Sequence, residues 1–259
     1  MDTKIKKIIE LCGYEDDPSW DVMKRLFYRV TFEDYHKILD NRDNLVKDIL
    51  EKNEARVIQS TDDFLAYVES DGRKLIAKEP LFVAYEVSVP DHRVATKAPF
   101  YLGEGASIAD SIIYSPCYVG DGAEVQHSRI VSDRFSYIGD NAKVSHLEEL
   151  RGCFISGGPL RDEGREKTYM HARSLNNTIV GAYSGISVGT DVYNHPLMGE
   201  KALKFDPETR NLIESDERKL PILVGLEASI GAHCLINSGA VVRAGARVPS
   251  RTDVIGYQR

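Results

Sequence analysis

Residues 224–254 read VGLEASIGAHCLINSGAVVRAGARVPSRTDV, and in them Val224, Ile230, Ile236, Val242, Val248 and Val254 recur every six residues without a slip. Four residues after each of the first five stands a small side chain: Ala228, Cys234, Ala240, Ala246 and Thr252. A helix brings its faces round every 3.6 residues and a strand every two, so a strict period of six matches neither element alone. It matches a parallel β-helix, in which triangular coils use three hexapeptides each and stack their branched aliphatic side chains inside.

Upstream, the same beat runs through Val180, Ile186 and Val192, and earlier through Val119, Val125, Val131, Ile138 and Val144 with one slip. Two segments interrupt it. One is 156–173, SGGPLRDEGREKTYMHAR; the other is 197–222, within which KALKFDPETRNLIESDER reads as strand, Asp-Pro turn, strand. In a solenoid such insertions become loops on one face, often the binding face.

Residues 1–79 have a different period. Ile5, Ile8, Ile9 and Cys12 fall at i, i+3, i+4 and i+7, and Met23, Leu26, Phe27 and Val30 repeat that spacing, so this region is expected to be helical. Thr31 with Asp34, and Ser60 with Asp63, have the form of helix N-caps. From Val83 the period becomes two, with Val83, Tyr85, Val87 and Val89 alternating until Pro90. The expected organisation is a helical region over 1–79 and a coiled β domain over 80–259.

Composition narrows the function. With a net charge of −7 the chain has no general attraction for nucleic acid or anionic membrane. No apolar run approaches the 18 residues of a membrane span, and the N-terminus lacks the apolar stretch of a secretory signal. Cys12, Cys117, Cys153 and Cys234 are scattered with no CxxC pair, as expected of reduced, mostly buried thiols in a cytoplasmic protein.

On its repeats the chain resembles the left-handed β-helix hexapeptide-repeat proteins over roughly residues 100–256. That resemblance implies a mainly β fold, a left-handed parallel β-helix, and a homotrimer with active sites between subunits. The segment 118–146, YVGDGAEVQHSRIVSDRFSYIGDNAKVSH, is similar to the coils that follow the catalytic domain of sugar-phosphate nucleotidyltransferases. The nucleotide-binding signature of that catalytic domain is missing. The run from His171 resembles the acetyltransferase half of bifunctional N-acetylglucosamine-1-phosphate uridyltransferases. His171 lies 18 and 19 residues before Gly189-Thr190 and 23 before Asn194. Two positions depart from that pattern, His195 and Ser174, where the family carries tyrosines. His195, in VYNHP, also resembles the Asn-His-Pro phrase that holds the catalytic histidine in sugar and xenobiotic O-acetyltransferases.

The resemblance implies an acyltransferase that uses acetyl-CoA or another acyl-CoA. Either His171 or His195 would be the general base toward an amine or hydroxyl of a sugar or sugar-phosphate-like acceptor. Asn194 would orient that acceptor or cap its turn. Arg161, Arg165, Lys167 and Arg173 surround His171 and offer a phosphate or carboxylate site, unless Asp162, Glu163 and Glu166 simply balance them. Arg243, Arg247 and Arg251 lie where the family grips the CoA phosphates. His127 and His146 are 19 apart, nearly one coil, but the accompanying pattern of a γ-carbonic anhydrase is absent and no metal is expected. The other reading is a non-catalytic β-helix subunit, regulatory or scaffolding, that partners a sugar nucleotidyltransferase.

Overall fold

The computed structural model of the chain describes residues 55–58, 60–70, 72–83, 87–88, 95–96, 100–114, 117–131, 136–158, 168–192, 203–205, 212–214, 220 and 222–258. These are mainly β, in strands of two or three residues that pair mostly in parallel. Ten strands form sheet I, eight form sheet II and nine form sheet III. From Ala95 onward the chain visits the sheets in strict rotation. Phe100–Leu102 lies in I, Ser107–Ala109 in II and Ile112–Ile113 in III, then Cys117–Val119 returns to I directly beside Phe100–Leu102. The same turn repeats to Tyr257–Gln258, so each coil stacks on the last and the whole is a three-sided, β-helix-like stack.

The six-residue beat is the reason the turn closes. Leu102, Val119, Ile138, Ile155, Val180, Val224 and Val242 make the inward column of sheet I. Ile108, Val125, Val144, Met170, Ile186, Ile230 and Val248 make that of sheet II. Ile113, Ile130, Leu150, Leu175, Val192, Ile236 and Val254 make that of sheet III. All lie in one core cluster, and all but Val248 are fully buried. The small residues four on, Ala228, Cys234, Ala240 and Ala246, are buried at the corners where a larger side chain would push the turn outward.

Three expectations change in detail. Val131 is not a core position: Ile130, one residue earlier, is the buried one, and this is where the beat slips. The coil also extends into the first interruption, 156–173. Ser156 donates its amide to Val180, and Tyr169–Met170 is a strand of sheet II with Met170 in the inward column. A beat counted on valine and isoleucine passes over that methionine; residues 159–167 lie outside the described ones. Finally, the alternation from Val83 to Val89 belongs to two sheets. Leu81–Val83 pairs in sheet I and Val87–Ser88 pairs with Ala95–Thr96 in sheet III.

The helical expectation for 1–79 is met only in miniature among the described residues. Residues 1–54 lie outside them, and within 55–79 the one helix is Thr61–Leu65. Ser60 caps it as expected, its Oγ accepting from the Asp63 amide at 3.1 Å. Phe64 and Tyr67 turn into the core, and the flanking strands Arg56–Ile58 and Lys74–Ile76 join sheets I and II, so this segment seals the first coil. In the second interruption Leu203–Phe205 and Leu212–Glu214 pair antiparallel, the expected hairpin. Among the described residues no helix is long and apolar enough to cross a membrane. Cys117, Cys153 and Cys234 are buried and unpaired by disulfide, and Cys12 lies outside the described residues.

Candidate functional site

The corner where the chain leaves sheet II carries a column of polar side chains. Asp110, His127 and His146 end successive strands of that sheet, each with a left-handed backbone (φ of 46°, 47° and 56°). The His127 amide donates to the Ala109 carbonyl and the His146 amide to the Gln126 carbonyl, both at 3.0 Å. The coil spacing therefore sets the spacing of the side chains. The His127 and His146 rings lie 4.8 Å apart, and the His146 and His171 rings 4.6 Å apart. Three imidazoles stack in tilted array along the corner. The Asp110 carboxylate stands 3.7 Å from Nδ1 of His127 at one end.

Tyr169 closes the other end. It lies two residues before His171, hence on the same outer side of its strand, and its ring meets the imidazole edge-on at 5.9 Å. Its hydroxyl is 3.1 Å from His171 Nδ1 and accepts a hydrogen bond from Ser145 Oγ at 3.3 Å. Tyr169 is 38% exposed and His171 half-buried, so the far edge of the imidazole faces outward. Although His146 is exposed, partial desolvation of its ring, followed by the neighbouring imidazoles of His171 and His127, lowers its pKa from the ordinary 6.5. Both causes oppose charge: one strips water from an imidazolium, the other sets cations face to face.

No family model matches this chain, and no curated protein matches it in sequence. The corner is therefore read from its own geometry.

Of the residues singled out by sequence, His171 and Arg173 are in this corner. His195, Asn194, Arg161, Arg165 and Lys167 lie outside the described residues. Arg173 is already engaged: its Nε donates to Glu148 at 3.2 Å, and its guanidinium lies 3.8 Å from Asp191. Asp191 in turn accepts from Ser174 Oγ at 3.1 Å. An incoming anion would have to displace two carboxylates. Thr190 has a structural part, linking coils by donating to the Gly231 carbonyl at 2.8 Å and accepting from the Cys234 amide at 3.2 Å. Arg243, Arg247 and Arg251 are all exposed, but they follow one another round the last coil: at the exit of sheet I, on the outer face of sheet II and at the next corner. They do not form one cluster with His171.

Sequence reasoning passed over Asp110, Ser145 and Tyr169, and it weighed His127 and His146 only as a metal pair; both are exposed, but they stack on one another and on His171. The signals were present. Tyr169 and His171 have the i, i+2 spacing of one strand face, and the 19-residue separation of His127 and His146 is one coil. The separation of His146 from His171 is 25, because the interruption at 159–167 falls between them. That hides the third member of the column. The three imidazoles present stacked faces, and among the described residues no group of three or more His, Cys, Asp or Glu side chains converges as a metal ion would require.

Proposed function

We propose that this chain is a left-handed β-helix acyltransferase. It carries an acyl group, acetyl in the simplest case, from CoA to an amine or hydroxyl of a sugar-like acceptor, with His171 as general base. The observation that carries the reading is the Tyr169–His171 contact. When Nδ1–H donates to the tyrosine oxygen, the lone pair of Nε2 is left facing outward, the tautomer a general base needs. Nε2 takes the proton of the acceptor as its nitrogen or oxygen attacks the thioester carbonyl. The tetrahedral intermediate then expels the CoA thiolate, which leaves with that proton as the thiol. No acyl-enzyme is needed, and positioning against the coil corner supplies much of the rate. The stacked His146 serves the same end, since a neighbour that resists protonation adds no positive charge beside the base. In this reading the protein is a cytoplasmic homotrimer, His195 remains an alternative base, and Arg243, Arg247 and Arg251 remain the candidates for CoA phosphates.

The test is acetyl-CoA consumption, followed by thiol release, against a panel of amino sugars and sugar phosphates. Wild-type turnover should be lost in His171→Ala while sedimentation shows an unchanged assembly. Full activity in both His171→Ala and His195→Ala would refute the mechanism. The engagement of Arg173 by Glu148 and Asp191 favours a second reading, the non-catalytic subunit, because it leaves less cation to hold a phosphorylated acceptor. Calorimetry that detects no CoA binding, with a nucleotidyltransferase co-purifying, would support that reading instead.

A further inference from the structure

Glycine inside a strand weakens it, because the chain gives up more conformational freedom and gains no side chain to pack. Elsewhere in the coil a glycine has a visible reason. A Cβ on Gly103, Gly120 or Gly181 would stand 2.5 to 2.6 Å from a backbone amide of the next coil, and Gly122 and Gly245 have φ of 63° and 69°. Gly185 has neither reason. It pairs in regular register with Tyr169 on one side and Ser229 on the other, its backbone is not left-handed, and a Cβ built on it meets nothing within 4 Å. A bulge, a bend and the close approach of another backbone are the structural uses of a strand glycine, and this paired strand shows none of them at position 185. The remaining use is the close approach of a ligand.

The space that Gly185 leaves open adjoins the Tyr169–His171 pair. The outward positions of sheet II run in two columns. One holds Lys143, Tyr169, Gly185 and Ser229; the other, two residues on in each strand, holds Ser145, His171 and Ser187. On the earlier coil both rings are backed, since Ser145 bonds to Tyr169 and His146 stacks on His171. On the later coil Tyr169 meets Gly185 and His171 meets Ser187, so the array of rings ends there. The result is a step. Tyr169 and His171, set at 89° to one another, stand beside a floor of Gly185 and Ser187. Ser229 bounds that floor two inter-strand spacings from Tyr169, about 9.6 Å, room for one sugar ring. Tyr169 and Ser229 are exposed and Gly185 and Ser187 partly so, hence the step opens to solvent.

We propose that Gly185 is the specificity-determining residue of the acyl-transfer site, its missing side chain admitting the sugar ring of the acceptor onto this step. The inference rests on the reading of His171 as general base. Nε2 must come within about 3 Å of the group whose proton it takes. With His146 on one face of the imidazole and Tyr169 at Nδ1, the body of the acceptor extends outward over Ser187 and Gly185. A larger residue at 185 would fill that place without touching the rest of the chain, so the position selects by exclusion.

Gly185→Ala and Gly185→Phe in the full chain test this, with Asp253→Phe on the exposed outer face of sheet III as the control for added bulk. All three should keep the wild-type melting midpoint and strand circular dichroism. With the amino sugar that turns over best, kcat/KM for the acceptor should fall at least about 100-fold in Gly185→Phe, the cost of a displacement of about 1 Å. Gly185→Ala should lie between that and wild type, KM for acetyl-CoA should hold in both, and Asp253→Phe should match wild type. A second readout needs no turnover. Glucosamine added to the isotope-labelled chain should shift the His171 imidazole resonances, and the shift should vanish in Gly185→Phe but not in Asp253→Phe. Wild-type turnover in a folded Gly185→Phe overturns the proposal and leaves acyl transfer standing. A shift that Gly185→Phe abolishes, without turnover in any protein, overturns acyl transfer and leaves the step standing as a sugar site. Neither turnover nor a shift in the wild type overturns the proposal, as does equal loss in Asp253→Phe. Unfolding of either Gly185 variant overturns it too, by giving the glycine a structural reason.

Discussion

Gly157 stands at the corner where sheet I hands over to sheet II, facing Gly139 of the preceding coil. A Cβ built there would enter the backbone of Asp140, and one built on Gly139 would meet the Gly157 amide. The contact is backbone on both sides, so no side chain can swing away. Gly157→Ala therefore requires the two coils to part by about 1 Å to restore ordinary contact. Two hydrogen bonds span that gap: Gly139 N–H to the Ile155 carbonyl at 2.7 Å and Gly158 N–H to the Asp140 carbonyl at 3.0 Å. Opening by about 1 Å takes both beyond useful length. Their loss costs about 2 kcal/mol in total, and overpacking adds about 1–3 kcal/mol. The expected sum is about 3–5 kcal/mol, which for a chain of this size lowers the melting midpoint by about 6–20 °C.

Gly185 makes the control. It lies on the outer face of sheet II, has no positive φ and has nothing within 4 Å of a built Cβ. Gly185→Ala should leave the midpoint unchanged or raise it slightly, since restricting the unfolded chain is worth about 0.4–1 kcal/mol. Thermal unfolding followed by circular dichroism in the β region reads both variants. If Gly157→Ala melted within 2 °C or so of wild type, or if Gly185→Ala were as damaging, the reasoning that coil-to-coil approach selects these glycines would fail.

Two further predictions concern the histidine corner. Since His146 titrates lower in the folded chain than its ordinary 6.5, the unfolded chain binds its proton more readily. Stability is therefore full above about pH 6.5 and declines as pH falls from there through the folded pKa, levelling off below it. The melting midpoint should drop between pH 7.5 and pH 5, and His146→Asn, which tolerates the φ of 56°, should show a smaller drop. An equal drop in both proteins would remove His146 as the cause. Tyr169→Phe deletes the hydroxyl that meets His171 Nδ1 and Ser145. If His171 is the base, acyl transfer should slow by about two- to tenfold, the equivalent of about 0.5–1.5 kcal/mol for one neutral hydrogen bond. The change should be in kcat more than in KM, with an altered pH profile; an unchanged profile and rate would separate Tyr169 from the chemistry.

Sequence alone determined the coil. Three columns of branched aliphatics at a six-residue beat admit little besides a three-sided stack of parallel strands, because the period is written by the very side chains that fill the interior. Ser60 and the hairpin over 203–214 were legible for a similar reason, since a cap and a strand–turn–strand are local and their partners lie a few residues away. What only the tertiary structure decided is lateral. It placed Met170 in the core and so put His171 on a regular coil, and it stacked His171 on His146 across a separation of 25 residues. It tied Arg173 to Glu148 and Asp191. The beat records which side chains point inward; which outward side chains become neighbours depends on how many residues each corner and insertion holds, and no period in the chain encodes that number.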